Sequence, residues 1–170
     1  MTATSPPSGV SLSDMKALVG KEVGVSRWFS VRQDRIDAFA DVTEDHQFIH
    51  VDPKRARDEA GMDSTIAHGF LTLSLLSAMA LDATPAIEGT RMGINYGFDK
   101  IRFLSPVKVG TKVRGRFTLA SVSEKKPGEV DVVWQVSVDI EGGKRPALTA
   151  EWINRMYLAA EEAVPEGKGS

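Results

Sequence analysis

The chain has 170 residues, 42% of them hydrophobic and 26% charged, an ordinary globular balance that excludes fibrous and disordered classes and suffices for one domain with a real core. A formal net charge of −2 gives no pull toward nucleic acid or an anionic membrane surface. The absence of cysteine excludes disulfides, thiolate nucleophiles and Cys-ligated zinc, and fits a reducing compartment.

In chain order, MTATSPPSGV is Ser/Thr/Pro-rich and lacks the basic and apolar regions of a secretory signal. The closing EEAVPEGKGS reads as a solvated tail. Residues 1–10 and 159–170 are therefore expected to be flexible ends around a domain at 11–158, in a cytoplasmic protein. Ser11 to Leu18 predicts a short helix, capped by Ser11 or Ser13 and ended before Gly20. Val23 to Val31 is β-rich around Trp28 and Phe29 and predicts a strand. Ser30 and Gln33 have capping-box spacing, and Ile36, Phe39 and Ala40 recur at helical spacing to about Val42. Asp52-Pro53 reads as an N-cap with proline at the first helical position, opening a helix from Pro53 to Ala60 that stops at Gly61. Thr43 to Val51 is thus a short polar connection pinned between two helices.

Thr65 to Leu81, TIAHGFLTLSLLSAMAL, organises the rest. Its run of Phe70, Leu71, Leu73, Leu75, Leu76, Met79 and Leu81 predicts a helix from near Gly69 that is apolar all round and therefore buried. Thr72, Ser74 and Ser77 interrupt it, and it is too short for a membrane span of about 20 apolar residues. Ala83 to Arg91, with Pro85 and Gly89, predicts a loop. From there the period becomes two: a strand at Ile94 to Leu104, then Val113, Phe117 and Leu119 opposite Arg114, Arg116 and Thr118. Pro127-Gly128 turns the chain into Val132, Trp134, Val136, Val138 and Ile140, and Gly142-Gly143 into Leu148, Ala150, Trp152, Asn154, Met156 and Leu158. Helices followed by short-turned antiparallel strands make an α+β fold in which a sheet cradles the apolar helix.

The three histidines, His46, His50 and His68, all flank the start of that helix. A histidine in a polar connection is as often a solvated or capping residue as a functional one. His46 and His50 have the i, i+4 spacing of two metal ligands, but no third ligand is evident and Asp52 serves as a cap, so no metal is expected. There is no G-x-S-x-G, and Ser74 and Ser77 sit within the apolar helix, so a serine hydrolase has no support. Acid–base chemistry remains. Asp45 and His50 present a carboxylate and an imidazole with ordinary pKa values on either side of neutrality, able to bind a water, take a proton from it and return one elsewhere. Amides at the helix start near Gly69 lack intrahelical partners and can receive an oxyanion, although glycine there serves tight packing equally well.

Asp45-His46-Gln47-Phe48-Ile49-His50-Val51-Asp52-Pro53, followed by Ile66-Ala67-His68-Gly69-Phe70-Leu71, resembles the hydratase 2 motif of MaoC-like, (R)-specific enoyl-CoA hydratases, D-x-N-P-x-H-x-D and then I-x-H-G. Gly93 to Gly97 and Lys100 to Val107 resemble that family's first long strand after its central helix. The similarity runs from about Phe29 to Tyr157 and is strongest to the NodN-like branch. It implies a single hot-dog domain, an antiparallel sheet wrapped around the helix that starts at Gly69, usually paired as a homodimer. It implies reversible syn hydration of a trans-2-enoyl thioester, carried by CoA or an acyl-carrier protein, with no metal and no organic cofactor. Asp45 and His50 would activate the water and supply the proton, and the Gly69 amide would bind the thioester oxygen. Gln47, Ser77 and Asn95 are candidates for positioning water or substrate. Phe48, Met79, Ile94 and Tyr96 are candidates for the acyl pocket, and Lys100, Arg102 and Lys108 for CoA phosphates. Gln47 stands where the motif has Asn and Phe48 where it has Pro. Two rival readings keep the fold: an acyl-CoA thioesterase, and a non-catalytic acyl-thioester binding protein.

Overall fold

Alternation in the second half of the chain gives the sheet one buried face. In β4 (Lys112–Lys126), β5 (Glu129–Ile140) and β6 (Leu148–Leu158), one side is built from Val113, Phe117 and Leu119, from Val132, Trp134, Val136 and Val138, and from Leu148, Ala150 and Trp152, all buried. Gly128 and Gly142, at φ 77° and 73°, supply the left-handed positions of the two hairpin turns. The structure, a computed structural model, describes residues 9–159. Its sheet is antiparallel throughout, in the order β1-β4-β5-β6-β3, with β1 spanning Glu22–Val25 and β3 spanning Thr90–Phe103. A short β2 (Phe29–Ser30) also pairs with β4.

The expected strand at Val23 to Val31 is thus two pieces, and Ser26 explains the break. Its N–H donates to the Gly115 carbonyl at 2.9 Å, while its hydroxyl oxygen accepts the Gly115 N–H at 3.0 Å. A side chain has replaced a backbone acceptor in the ladder. β3 starts at Thr90, earlier than the expected Ile94. Its register against β6 slips between Thr90 and Met92, between Asn95 and Gly97, and between Asp99 and Arg102, with Lys100 left-handed at φ 53°.

The helices near the site follow their caps. The Ser11 hydroxyl accepts the Asp14 N–H at the start of α1 (Leu12–Ala17). The Asp52 carboxylate accepts the N–H groups of Lys54 and Arg55 at 3.0 and 2.9 Å and opens α4 (Pro53–Ala60), which ends at Gly61 with φ 64°. The capping box does not form: α2 (Gln33–Thr43) is capped by Arg32 without a side-chain bond, and Gln33 is used elsewhere. A single turn, α3 (Phe48–Val51), lies in the connection between α2 and α4.

The central helix starts at Gly69 as expected but is two pieces, α5 (Gly69–Ser74) and α6 (Leu76–Ala83). At the junction the Ser74 hydroxyl donates to the Phe70 carbonyl at 2.7 Å, a back-bond that competes for a helical acceptor. The expectation of burial on all sides is corrected. Leu71, Leu76, Met79 and Ala83 face the sheet and are buried, whereas Phe70 is 67% and Leu81 78% exposed. Each large side chain on the buried face contributes roughly 2 kcal/mol. Val10 and Ala159, assigned to the flexible ends, are both tied down, Val10 in a bridge to Ile87 and Ala159 through its N–H to the Gly89 carbonyl at 2.8 Å. The rest of those ends, residues 1–8 and 160–170, lies outside the described residues. Among the described residues no helix is long and apolar enough to cross a membrane.

Candidate active site

Three chain segments meet at the start of α5. The polar connection delivers Asp45, α3 delivers His50, and the strand-like run Ile66 to His68 leads into Gly69. Ala67 N–H donates to the Val107 carbonyl at 2.8 Å and Ile66 N–H to the Ile49 carbonyl at 3.1 Å, so that run is stitched on both sides. Gln33 ties it to α2. Its amide donates to the His50 carbonyl at 2.8 Å and to the Asp37 carboxylate at 2.7 Å, and its oxygen accepts from the buried Thr65 hydroxyl at 2.6 Å.

His50 is 7% exposed. Its Nδ1 lies 2.7 Å from the Ile66 carbonyl, and a carbonyl only accepts, so the ring hydrogen sits on Nδ1 and Nε2 keeps a free lone pair. Burial pushes the His50 imidazole below its ordinary value; the hydrogen bond to Ile66 opposes this, neighbouring His68 adds to it, and Asp45 opposes it. His50 lines a cavity of about 250 Å³ together with Gly69, Thr72, Phe103, Leu104 and Ala147. The Gly69 N–H, first in its helix, has no intrahelical acceptor. A Cβ added at Gly69 would lie 2.9 Å from two carbons of the Phe103 ring, so with the ring where it stands only glycine fits there.

Asp45 stands beside this cavity with its side chain 53% exposed, its Oδ2 4.0 Å from His68 Nε2 and its Oδ1 accepting the Gln47 N–H at 3.4 Å. Donor atoms of Asp45, His50 and His68 fall within 4.8 Å of one another. The two imidazoles stack, however, with centroids 3.8 Å apart and planes at 27°. Lone pairs on rings stacked this way run side by side and do not meet at one ion, so a coordination sphere needs a ring to turn. His46 stands apart, exposed and paired with Asp41 at 3.0 Å; the Asp41 hydrogen bond raises its pKa.

The other candidates divide. Ser77, Ile94 and Asn95 line a second cavity of about 460 Å³ bounded by α6, β3, β5 and β6. There Asn95 donates to the Ser77 hydroxyl at 3.5 Å and accepts from Asn154 at 3.3 Å. Gln47 is exposed. Phe48 packs under the Arg55 guanidinium at 4.6 Å, Met79 is wholly buried core, and Tyr96 lies against Arg155 at 3.8 Å on the exposed side; none of these three lines either cavity. Lys100 pairs with Glu151 and Lys108 with Asp63, at 3.4 and 3.0 Å, while Arg102 donates to the neighbouring Ile101 carbonyl.

The sequence profile of the MaoC-like domain matches residues 14–141. The chain belongs to the MaoC-like dehydratase family. Within it, the chain is 52% identical over 144 residues to nodulation protein N of Rhizobium leguminosarum bv. viciae, covering 85% of this chain and 89% of that protein. It is 43% identical over 150 residues to 3-hydroxyacyl-thioester dehydratase Z of Mycobacterium tuberculosis, covering 88% and 97%. Among solved structures it resembles the (R)-hydratase from A. caviae involved in PHA biosynthesis, with a TM-score of 0.62 and 26% identity over 80% of this chain and 94% of that one. The MaoC-like fold is thus a single antiparallel sheet around a central helix, the α+β hot-dog arrangement expected from the motif. Gln33, His68 and Thr72 had not been assigned a site role. Gln33 carried no signal beyond a misleading capping-box spacing, and Thr72 read as a helix interruption; His68 belonged to the motif, but its contacts depend on the fold.

Proposed function

We propose that the protein is an (R)-specific enoyl-CoA hydratase, adding water reversibly and syn across the double bond of a trans-2-enoyl-CoA to give an (R)-3-hydroxyacyl-CoA. The observation that carries this reading is the free Nε2 lone pair of a buried, neutral His50 beside the Asp45 carboxylate, on one cavity with the Gly69 N–H. A water held between Asp45 and His50 gives up a proton as its oxygen bonds C3. The electrons of the double bond shift toward the thioester oxygen, which the Gly69 N–H receives. The proton returns to C2 from the same side, so hydroxyl and hydrogen add to one face. Dehydration is the same path reversed, in keeping with the mycobacterial relative named a 3-hydroxyacyl-thioester dehydratase. The path asks for no metal and no organic cofactor. Arg102, beside the cavity-lining Phe103, is the cation we assign to the CoA phosphates, because Lys100 and Lys108 are engaged with carboxylates.

The working unit in this reading is a homodimer. β3 ends the sheet and carries exposed Met92, Ile94, Tyr96 and Phe103, and exposed Phe70 packs on Phe103 with ring centroids 6.0 Å apart. An uncovered edge strand with apolar surface is a pairing surface. A two-fold axis near Phe98 and Asp99 of β3 brings Ile94 and Asn95 of one copy beside the Phe103 end of the other, so an acyl chain bound at one Gly69 runs toward the partner's apolar cavity.

The test is loss of enoyl-thioester ultraviolet absorbance with crotonyl-CoA, run beside a thiol reagent and chiral analysis of the product. Loss without thiol release, giving the (R)-alcohol, is the expected result. Asp45→Asn and His50→Ala should each lower kcat by about a thousandfold with the circular dichroism unchanged. Thiol release would replace this reading with a thioesterase, and acyl-CoA binding without either signal with a binding protein.

A further inference from the structure

We infer that His68 is a positioning residue that couples Asp45 to His50, holding the backbone of the first with the edge of its ring and the side chain of the second with its face. The inference rests on the reading of Asp45 and His50 as an acid–base pair. His68 is 2% exposed and does not line the cavity, so it acts through its neighbours. Its Nε2 donates to the Asp45 carbonyl at 2.9 Å. Its ring stacks on His50 at 3.8 Å and is backed by Phe39, whose ring lies at 5.1 Å and 51°.

The remaining nitrogen identifies what the ring is for. Because a carbonyl takes the hydrogen from Nε2, Nδ1 is a bare acceptor, and it is buried with no hydrogen-bond partner among the described residues. An orphaned buried acceptor destabilises a fold. The ring is held against that penalty by its other two contacts. An imidazole is the smallest side chain that offers both: phenylalanine has the face without the donor, and glutamine has the donor without the face. Asp45 and His50 lie on opposite sides of the Gln47-Phe48 turn, and a third segment fixes them relative to each other. His68 is also the residue before Gly69, so one short segment sets the acid, the base and the amide together.

The stacked ring further keeps water from one face of His50. The titratable groups whose charge His50 senses are Asp45, from the connection, and His68, from the start of α5; on α2, Asp37 lies one hydrogen bond further away, behind the Gln33 amide.

The test uses the full chain with ¹⁵N-labelled histidine, in which His46, His50 and His68 are the three signals to assign. In the wild type the expected tautomers are Nδ1–H for His50 and Nε2–H for His68. His68→Phe keeps the stack and frees the Asp45 carbonyl: kcat for crotonyl-CoA should fall roughly a hundredfold, KM should change by less than about threefold, and the titration midpoint of His50 should rise less than in the glutamine variant, by the lost His68 charge alone. His68→Gln keeps the donor and removes the face: the His50 midpoint should rise by about one pH unit as water reaches the ring, carrying the acid limb of kcat/KM with it. Equal losses of kcat in both variants with an unmoved His50 midpoint would reduce His68 to packing and overturn the inference. A wild-type His68 protonated on Nδ1 would overturn it without any variant, even if neither variant folds. The tautomers and midpoint are read on free protein, so absence of hydratase turnover would sink the proposed reaction while leaving these signals to judge the coupling.

Discussion

Burial holds the His50 imidazole below its ordinary value of 6.5, and the direction of that shift fixes two pH dependences. The proposed reaction needs the neutral ring, so kcat/KM should be level through neutrality and fall only below about 6.5, which a pH–rate profile checks. Stability has the same sign. Above the ordinary value both folded and unfolded chains carry neutral imidazole; as pH falls below it, the unfolded chain takes the proton first and the native state loses ground until the folded ring also titrates. Urea midpoints should therefore drop across that acid window, and His50→Ala should flatten this part of the drop. At Gly69, alanine meets the Phe103 ring, but Phe103 is 50% exposed and can swing outward. Gly69→Ala should thus cost only about 1 kcal/mol of stability while the methyl, beside the amide and His50, lowers kcat/KM by more than tenfold; denaturation and steady-state kinetics separate the two effects. The candidates Asp45, His50 and Gly69 were legible as residues because each sits in one of two short, contiguous stretches of the motif. What His68 touches was not, since stacking and a bond to the Asp45 carbonyl depend on how distant segments meet.

Among elements, the join between α2, α3 and the run into α5 rests on Gln33. Replacing it by methionine keeps the shape and strands Thr65 and the His50 carbonyl, which should lower stability by about 2 kcal/mol, hence Tm by about 6 °C, together with kcat; calorimetry beside kinetics checks it. Gln33 illustrates a limit of local spacing: three residues after Ser30 it suggested a capping box, yet its partners, Thr65 and the His50 carbonyl, lie 32 and 17 residues away. The strands from β4 to β6 were legible to within a few residues because period-two alternation and glycine turns are local. The split at Ser26 was not, because a hydroxyl standing in for a carbonyl leaves the composition of the strand unchanged. The central helix was legible in position and start. Its half-exposure was not, because an apolar side chain reads the same whether it meets the sheet of its own chain or another surface.

At the scale of the whole molecule, exposed Phe70, Leu81, Ile94 and Phe103 make association the next prediction. Sedimentation velocity should give the mass of two chains at micromolar concentration, and Ile94→Glu should yield a monomer with little activity; a fully active wild-type monomer would remove the dimer from the proposal. The slips in β3 bear on which strands such an edge accepts. A flat, regular strand cannot follow a border that changes step along its length, whereas an identical border, turned end for end, changes step in kind. The irregular edge therefore works as a password. In the proposed dimer it admits a copy of itself and turns away the uniform strands from which fibrils grow, so a chain whose apolar border stays open until a second copy pairs with it is guarded while it waits.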